Sequence, residues 1–219
     1  MDITIAGARI NRIVSTLIIA DLALLAGWGL VNPIFSVFVV DEIAGGSLAA
    51  IGIAVAIYWF TRAGLQIPIA SYLDRTKGEK DEFRALGIGC LLAAGTAFLF
   101  PLASTVMHLY ILKFLHAVAF SFYVPAWSGV FSKHLDSKHT ALEWAIDRSA
   151  GGFATGVSGL IGGVIAGMYG FSAIFVIAGI ASLVAGIAVL FGPTIVFPHA
   201  RKSVKAKKEQ FSHPHNDLK

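Results

Sequence analysis

A chain of 219 residues, 56% of them hydrophobic and only 14% charged, does not read as an ordinary soluble domain, in which about a quarter of residues carry charge. A net charge of +4 could point to nucleic acid in a soluble protein, but here the basic residues mark one side of a membrane, and no nucleic-acid partner is expected. The single cysteine, Cys90, excludes an intrachain disulfide and a cysteine-based metal site.

The apolar segments cover residues 13–40, 48–73, 85–106, 109–131, 150–169 and 171–191, each about the length that crosses a bilayer as a helix. The first follows Arg9 and Arg12 and is too long for a signal peptide, with no small-residue cleavage site, so it stays in the protein. The expected fold class is an all-α membrane protein of six transmembrane helices. Residues 1–12 form an N-terminus, 13–198 the bundle and 199–219 a basic polar tail.

The connectors alternate in character. Residues 41–46 are acidic and glycine-rich, 74–84 densely charged, 104–108 short and 132–149 polar, and Gly170 is a bare turn. Of the 17 Lys and Arg, 15 fall in the termini and in connectors 74–84 and 132–149, none in the other connectors, and two, Arg62 and Lys113, within apolar segments. The positive-inside rule then puts both termini in the cytoplasm and the chain in the cell (inner) membrane.

Charges inside apolar segments usually face protein or a water-filled cavity, because each costs about 2.5–3.5 kcal/mol at a helix centre. The first segment carries Asp21, Trp28, Asn32 and Ser36 on one helical face. The second carries Tyr58, Arg62 and Gln66 at steps of four, and the fourth carries Lys113, His116, Phe120, Tyr123 and Trp127 on one face. The third and sixth hold no charge within their apolar runs. Segments one, two and four are therefore expected to line a cavity. Asp21 and Arg62 lie at similar depth, and a pair between them is one expectation, either structural or part of a substrate or proton site. Lys113 lies nearer the outer end, where it lines the cavity or snorkels to the headgroups.

Prolines at 33, 68, 101 and 125 fall inside four segments and are expected to kink them. The fifth segment has GxxxG spacings at 152/156, 159/163 and 163/167, the pattern of close helix packing. No strand precedes these glycines and no P-loop lysine follows them, which argues against a nucleotide site. No clustered metal-ligand spacing such as HExxH occurs, so neither an enzyme nor a bound cofactor or metal is expected.

The connector Ser71-Tyr-Leu-Asp74-Arg75-Thr-Lys-Gly78-Glu-Lys80 resembles the signature G-x-L-x-D-R-x-G-R-K between helices two and three of the major facilitator superfamily. Asp74, Arg75, Gly78 and Lys80 match; Ser71 replaces the leading glycine, and one extra residue precedes Gly78. Lys113-Phe-Leu-His116-Ala-Val-Ala is similar to the family's fourth-helix pattern R-x-x-Q-G-x-G, with lysine for arginine and histidine for glutamine. The resemblance implies one six-helix half of a transporter whose first and fourth helices line the substrate path. It implies gating roles for Asp74, Arg75, Gly78 and Lys80 and a substrate or coupling role for Lys113. The wider set of substrate or coupling candidates is Asp21, Trp28, Asn32, Arg62, Gln66, Lys113, His116, Tyr123 and Trp127.

The leading expectation is a secondary transporter of a small solute, built from two copies of the chain by alternating access. The alternative is a non-transporting scaffold or assembly subunit that keeps the half-fold. A third reading makes the chain part of a twelve-helix protein, against which the initiating methionine and the polar tail argue.

Overall fold

The computed structural model describes residues 3–5, 8–10, 12–76, 79–135 and 138–196. The tail 199–219 and Gly78 lie outside the described residues. Two three-residue strands, β1 (Ile3–Ile5) and β2 (Ala8–Ile10), pair antiparallel with Thr4 opposite Arg9. This hairpin corrects a purely α reading of the chain, but it precedes the apolar segments.

Six stretches among the described residues are long and apolar enough to cross a membrane. In lipid each backbone N–H and C=O must find its partner within the chain, which is why such apolar runs become helices. The first crossing is α1 (Arg12–Val31), a 3₁₀ turn at Asn32–Ile34, and α2 (Phe35–Glu42). Pro33 causes the break, since it has no N–H to donate and its ring crowds the preceding turn. The others are α3 (Leu48–Arg75), α4 (Lys80–Leu99), α5 (Val106–His134), α6 (Thr140–Tyr169) and α7 (Phe171–Val196). Ser47 and Thr105 cap α3 and α5, accepting from Ala50 N at 3.2 Å and His108 N at 3.4 Å. Gly170, at φ +79°, turns α6 directly into α7.

Two boundaries differ from the sequence reading. Pro101 lies in a 3₁₀ turn, Phe100–Leu102, after α4 rather than inside that helix. The fifth crossing begins at Thr140, ten residues ahead of the apolar run. Its first turns hold Glu143 and Asp147, both buried, one helical step apart and aimed at the bundle. Hydropathy alone reads those turns as connector.

The helices pack in the spatial order α3, α5, α4, α7, α1, α6, with α1 and α5 also touching at the centre. Reversing this order exchanges α1 with α5, α3 with α6 and α4 with α7. The first three crossings are thus related to the last three by a pseudo-two-fold axis in the membrane plane, an inverted three-helix repeat. Helices α4 and α7 form the back, packed against each other and against α5 and α1 respectively. Helices α3 and α6 stand at the two ends of the order, each resting chiefly on one neighbour, and they are the least buried crossings.

Small residues set the close seams. A Cβ added at Gly27 would lie 2.9 Å from Ala181 Cβ between α1 and α7, one at Gly89 would lie 2.8 Å from the Ala119 carbonyl between α4 and α5, and one at Gly162 would lie 2.3 Å from the Leu30 carbonyl between α1 and α6. The fifth-crossing glycines divide between two faces. Gly159 and Gly162 meet the first crossing, at Pro33 of its 3₁₀ turn and at Leu30 of α1, whereas Gly152, Gly156, Gly163 and Gly167 face open space.

Candidate functional site

The site is built on the antiparallel seam of α1 and α5. Steps of seven residues bring side chains back to one face of each helix about 10 Å apart along the axis. Trp28 of α1 stacks on His116 of α5, ring centroids 3.8 Å apart and 21° between planes. Seven residues back along α1 and seven forward along α5, Asp21 accepts a 2.7 Å hydrogen bond from the Tyr123 hydroxyl. On the other side of the Trp28 level, the Lys113 ammonium sits 3.5 Å from the centroid of the Phe35 ring and 5.8 Å from that of Phe100.

A cavity of about 290 Å³ opens at the Trp28 level, with walls from α1, the Asn32 turn, α3, α5 and α6. Trp28, Asn32, Tyr58, Trp59, Lys113, His116 and Thr155 line it. It lies between α3 and α6, the two helices at the ends of the packing order. A larger groove of about 490 Å³ between α3 and α4 has mostly apolar walls, and its charged members, Asp81 and Arg84, pair with each other at 3.0 Å.

Three features make the smaller cavity chemically unusual. The indole Nε1 of Trp28 and both ring nitrogens of His116 are buried without a hydrogen-bond partner, although Trp28 is 4% and His116 6% exposed. Buried polar atoms without partners are rare, because each costs about 1–3 kcal/mol. Lys113 has aromatic rings and no carboxylate within salt-bridge distance among the described residues. A cation–π contact contributes about 0.5–2 kcal/mol, less than the roughly 2.5–3.5 kcal/mol cost of a charge at membrane depth. Packing alone does not account for a lysine held inward here.

The same magnitudes describe Arg62, one turn along α3 from Tyr58. Its Nη1 donates to the Tyr58 hydroxyl and its Nε to Gln66 Oε1, each at 3.3 Å, and its guanidinium lies 5.0 Å from the Trp59 ring centroid. The expected Asp21–Arg62 pair is therefore replaced by two separate arrangements, Asp21 with Tyr123 and Arg62 with Tyr58 and Gln66. The reason is packing: α3 rests chiefly on α5 and not on α1. Lys113, expected to line the cavity or to snorkel, is on the cavity wall with its ammonium over the Phe35 ring.

Trp127 stands apart from the cavity. It stacks on Phe131 at 4.5 Å and meets Trp144 edge-on at 5.7 Å. Arg148 lies over both indoles, 6.0 Å from Trp127 and 5.4 Å from Trp144, with its Nε 3.9 Å from Asp147. Nearby, Lys133 donates to buried Glu82 at 2.5 Å, and His134 meets Glu79 at 2.7 Å, so α5 is tied to the start of α4. In the signature connector, Asp74, Arg75 and Lys80 are exposed, and the Thr76 hydroxyl donates to the Leu73 carbonyl at 2.9 Å to close α3.

Sequence reasoning missed Trp59 and Thr155 on the cavity wall, and it missed the buried acids Glu82, Glu143 and Asp147. Trp59 follows Tyr58 in the sequence, and Glu143 and Asp147 show helical spacing just before the apolar run, which are the signals that could have found them.

The family model of the Major Facilitator Superfamily matches residues 17–216. No curated protein and no solved structure matches the chain significantly. The six crossings, the charged connector between the second and third, and the polar seam of the first and fourth agree with that match. This chain therefore belongs to the Major Facilitator Superfamily, a family of membrane transporters.

Proposed function

We propose that the protein is a secondary transporter that moves a small solute by alternating access, as a parallel homodimer of six-helix halves in the inner membrane with both termini in the cytoplasm. The observation that carries this reading is the position of the cavity, between the two end helices α3 and α6, where no further helix among the described residues covers it. In a monomer, Asn32 and Lys113 would border lipid at the insertion cost given above. A second copy removes that cost. Large apolar side chains on the flanking helices, Phe60 and Ile67 of α3 and Phe153 and Leu160 of α6, are 75–78% exposed and supply a surface for it. Two copies inserted in the same sense close only about an axis along the membrane normal, the relation between the halves of twelve-helix members of this family.

The test combines native mass spectrometry in mild detergent, cross-linking from Gly64→Cys and Gly156→Cys, and solute flux in proteoliposomes. Both glycines face open space on the end helices. The expected result is a dimer that cross-links through α3 and α6 and supports flux. Flux from a clean monomer, or cross-links only through α4 and α7, would overturn the dimer.

Orientation rests on the charge bias and is tested separately. Ser47→Cys should react with an impermeant thiol reagent in intact cells and Asp74→Cys should not. The reverse labelling pattern would overturn the orientation.

A further inference from the structure

We infer that the cavity at the Trp28 level binds a small organic anion, a carboxylate joined to a flat apolar body, with Lys113 as the counter-charge. The inference names the substrate class of the proposed transport site and so rests on that reading.

The walls are rich in donors and positive charge. Lys113 carries an ammonium with three donors and no carboxylate partner, and Arg62 stands one turn away behind Tyr58 and Trp59. The Trp28 indole can only donate, and His116 offers at least one donor in any protonation state. All three of these buried ring nitrogens lack a partner among the described residues. No carboxylate is among the described residues that line the cavity. The nearest on this seam, Asp21, lies two turns away and already accepts from Tyr123. An organic cation would meet the Lys113 ammonium, with Arg62 behind the wall, and no counter-ion among the described lining residues. A carboxylate would instead make charge-assisted hydrogen bonds with the ammonium, and the partnerless ring nitrogens of Trp28 and His116 lie just beneath the same wall.

The rest of the ligand follows from the other walls. Trp28, Tyr58, Trp59 and Phe120 give flat apolar faces, which favour a planar body that stacks or meets ring edges. The volume, about 290 Å³, is at the lower end of small-molecule sites, which span about 300–1,000 Å³. A single-ring carboxylate suits those dimensions better than an extended lipid or peptide.

The test uses benzoate, benzyl alcohol and benzylammonium, which share one ring and differ in charge. Binding to the purified full-length protein in mild detergent is read by quenching of tryptophan fluorescence, to which Trp28 and Trp59 on the cavity wall contribute. The expected result is saturable quenching by benzoate and far weaker effects from the other two. Lys113→Met should weaken benzoate binding by about tenfold or more, and Lys113→Arg should restore much of it. If Lys113→Met does not fold, Arg62→Gln is read instead and should weaken benzoate binding by a smaller factor. Equal or tighter binding of benzylammonium, binding of none of the three probes, or benzoate binding indifferent to these substitutions would overturn the inference. Flux in proteoliposomes separates the two readings. Lys113-dependent benzoate binding without flux of any solute would leave the anion site standing and sink transport. Flux of organic cations alone would keep transport and sink the anion site.

Discussion

The two ends of the α1–α5 seam differ in how the polar groups on and around them are paired. At the basic end the acids have partners: Asp21 with Tyr123 across the seam, Asp147 beside Arg148 on α6, and Glu82 with Lys133 and Glu79 with His134 between the start of α4 and the end of α5. About two to three turns further into the seam, Trp28, His116 and Lys113 have aromatic neighbours and no hydrogen-bond or ion-pair partner among the described residues. The basic end has unpartnered atoms too, the Trp127 indole nitrogen beneath Arg148 and the second carboxylate oxygens of Glu79 and Glu82, but each of those two acids still has a cation or imidazole on its other oxygen. Both levels hold buried side chains, so burial alone does not distinguish them. What differs is pairing between charged groups. A layer of paired charges fixes the helices against one another, whereas a cation and ring nitrogens without partners beside a cavity leave bonding capacity for a solute.

The sharpest way to break this comparison is to remove a partner at the basic end. Lys133→Met leaves the Glu82 carboxylate, 2% exposed, without its cation. Stranding a buried charge costs about 3–5 kcal/mol where both partners are buried; Lys133 is 44% exposed, so solvent takes part of the loss and about 1–3 kcal/mol is expected. Cys90, the only cysteine and fully buried, makes the measurement direct. A thiol-reactive fluorogenic dye reports unfolding on heating in detergent, and the variant should react at a lower temperature than wild type. Adding Glu82→Gln should recover part of the loss. An unchanged reaction temperature for Lys133→Met would mean that the pair contributes nothing and that the basic end is not the fixed one.

Much of this fold could be read from the amino acids, and the limits have physical causes. Helix count followed from hydropathy, because lipid leaves the backbone few alternatives. Residue counting put Asp21 and Arg62 at similar distances along their helices, but the two side chains have different partners. Which helix faces which did not follow, because it depends on the packing order of six helices and not on any one of them. The same limit appears in α6. A GxxxG spacing identifies a stripe of small residues, but this helix has glycines on two faces, and the sequence does not say that Gly162 meets Leu30 while Gly163 meets nothing. Glu143 and Asp147 escaped for another reason: acidic turns at the end of a crossing have the hydropathy of a loop, and only the neighbouring aromatic and basic side chains make them part of the bundle.

The most delicate test of the two levels is a pair of phenylalanine substitutions seven residues apart on α5, expected to differ in sign. Tyr123→Phe keeps the ring and removes the hydroxyl that donates to Asp21 at 2.7 Å, so a partly buried carboxylate loses its donor. A hydrogen bond to a charged group contributes about 1.5–3 kcal/mol; because Asp21 is not fully buried, the lower part of that range is expected. His116→Phe also keeps an aromatic ring against Trp28 and Phe120, but it removes two buried nitrogens that have no partner to lose. Replacing unsatisfied polar atoms by an apolar group of similar shape is nearly neutral or stabilising, within about 1 kcal/mol, the residual cost being the slightly larger ring in a packed site. Cys90 reactivity on heating should therefore fall to lower temperature for Tyr123→Phe and stay at or above the wild-type value for His116→Phe. Benzoate quenching should show the opposite sensitivity, weakened by His116→Phe because a donor on the cavity wall is lost, and little changed by Tyr123→Phe one layer away. A clear loss of stability in His116→Phe beyond what the ring size explains would mean that its nitrogens are bonded within the fold, and the distinction between a fixed level and a binding level on this seam would fail.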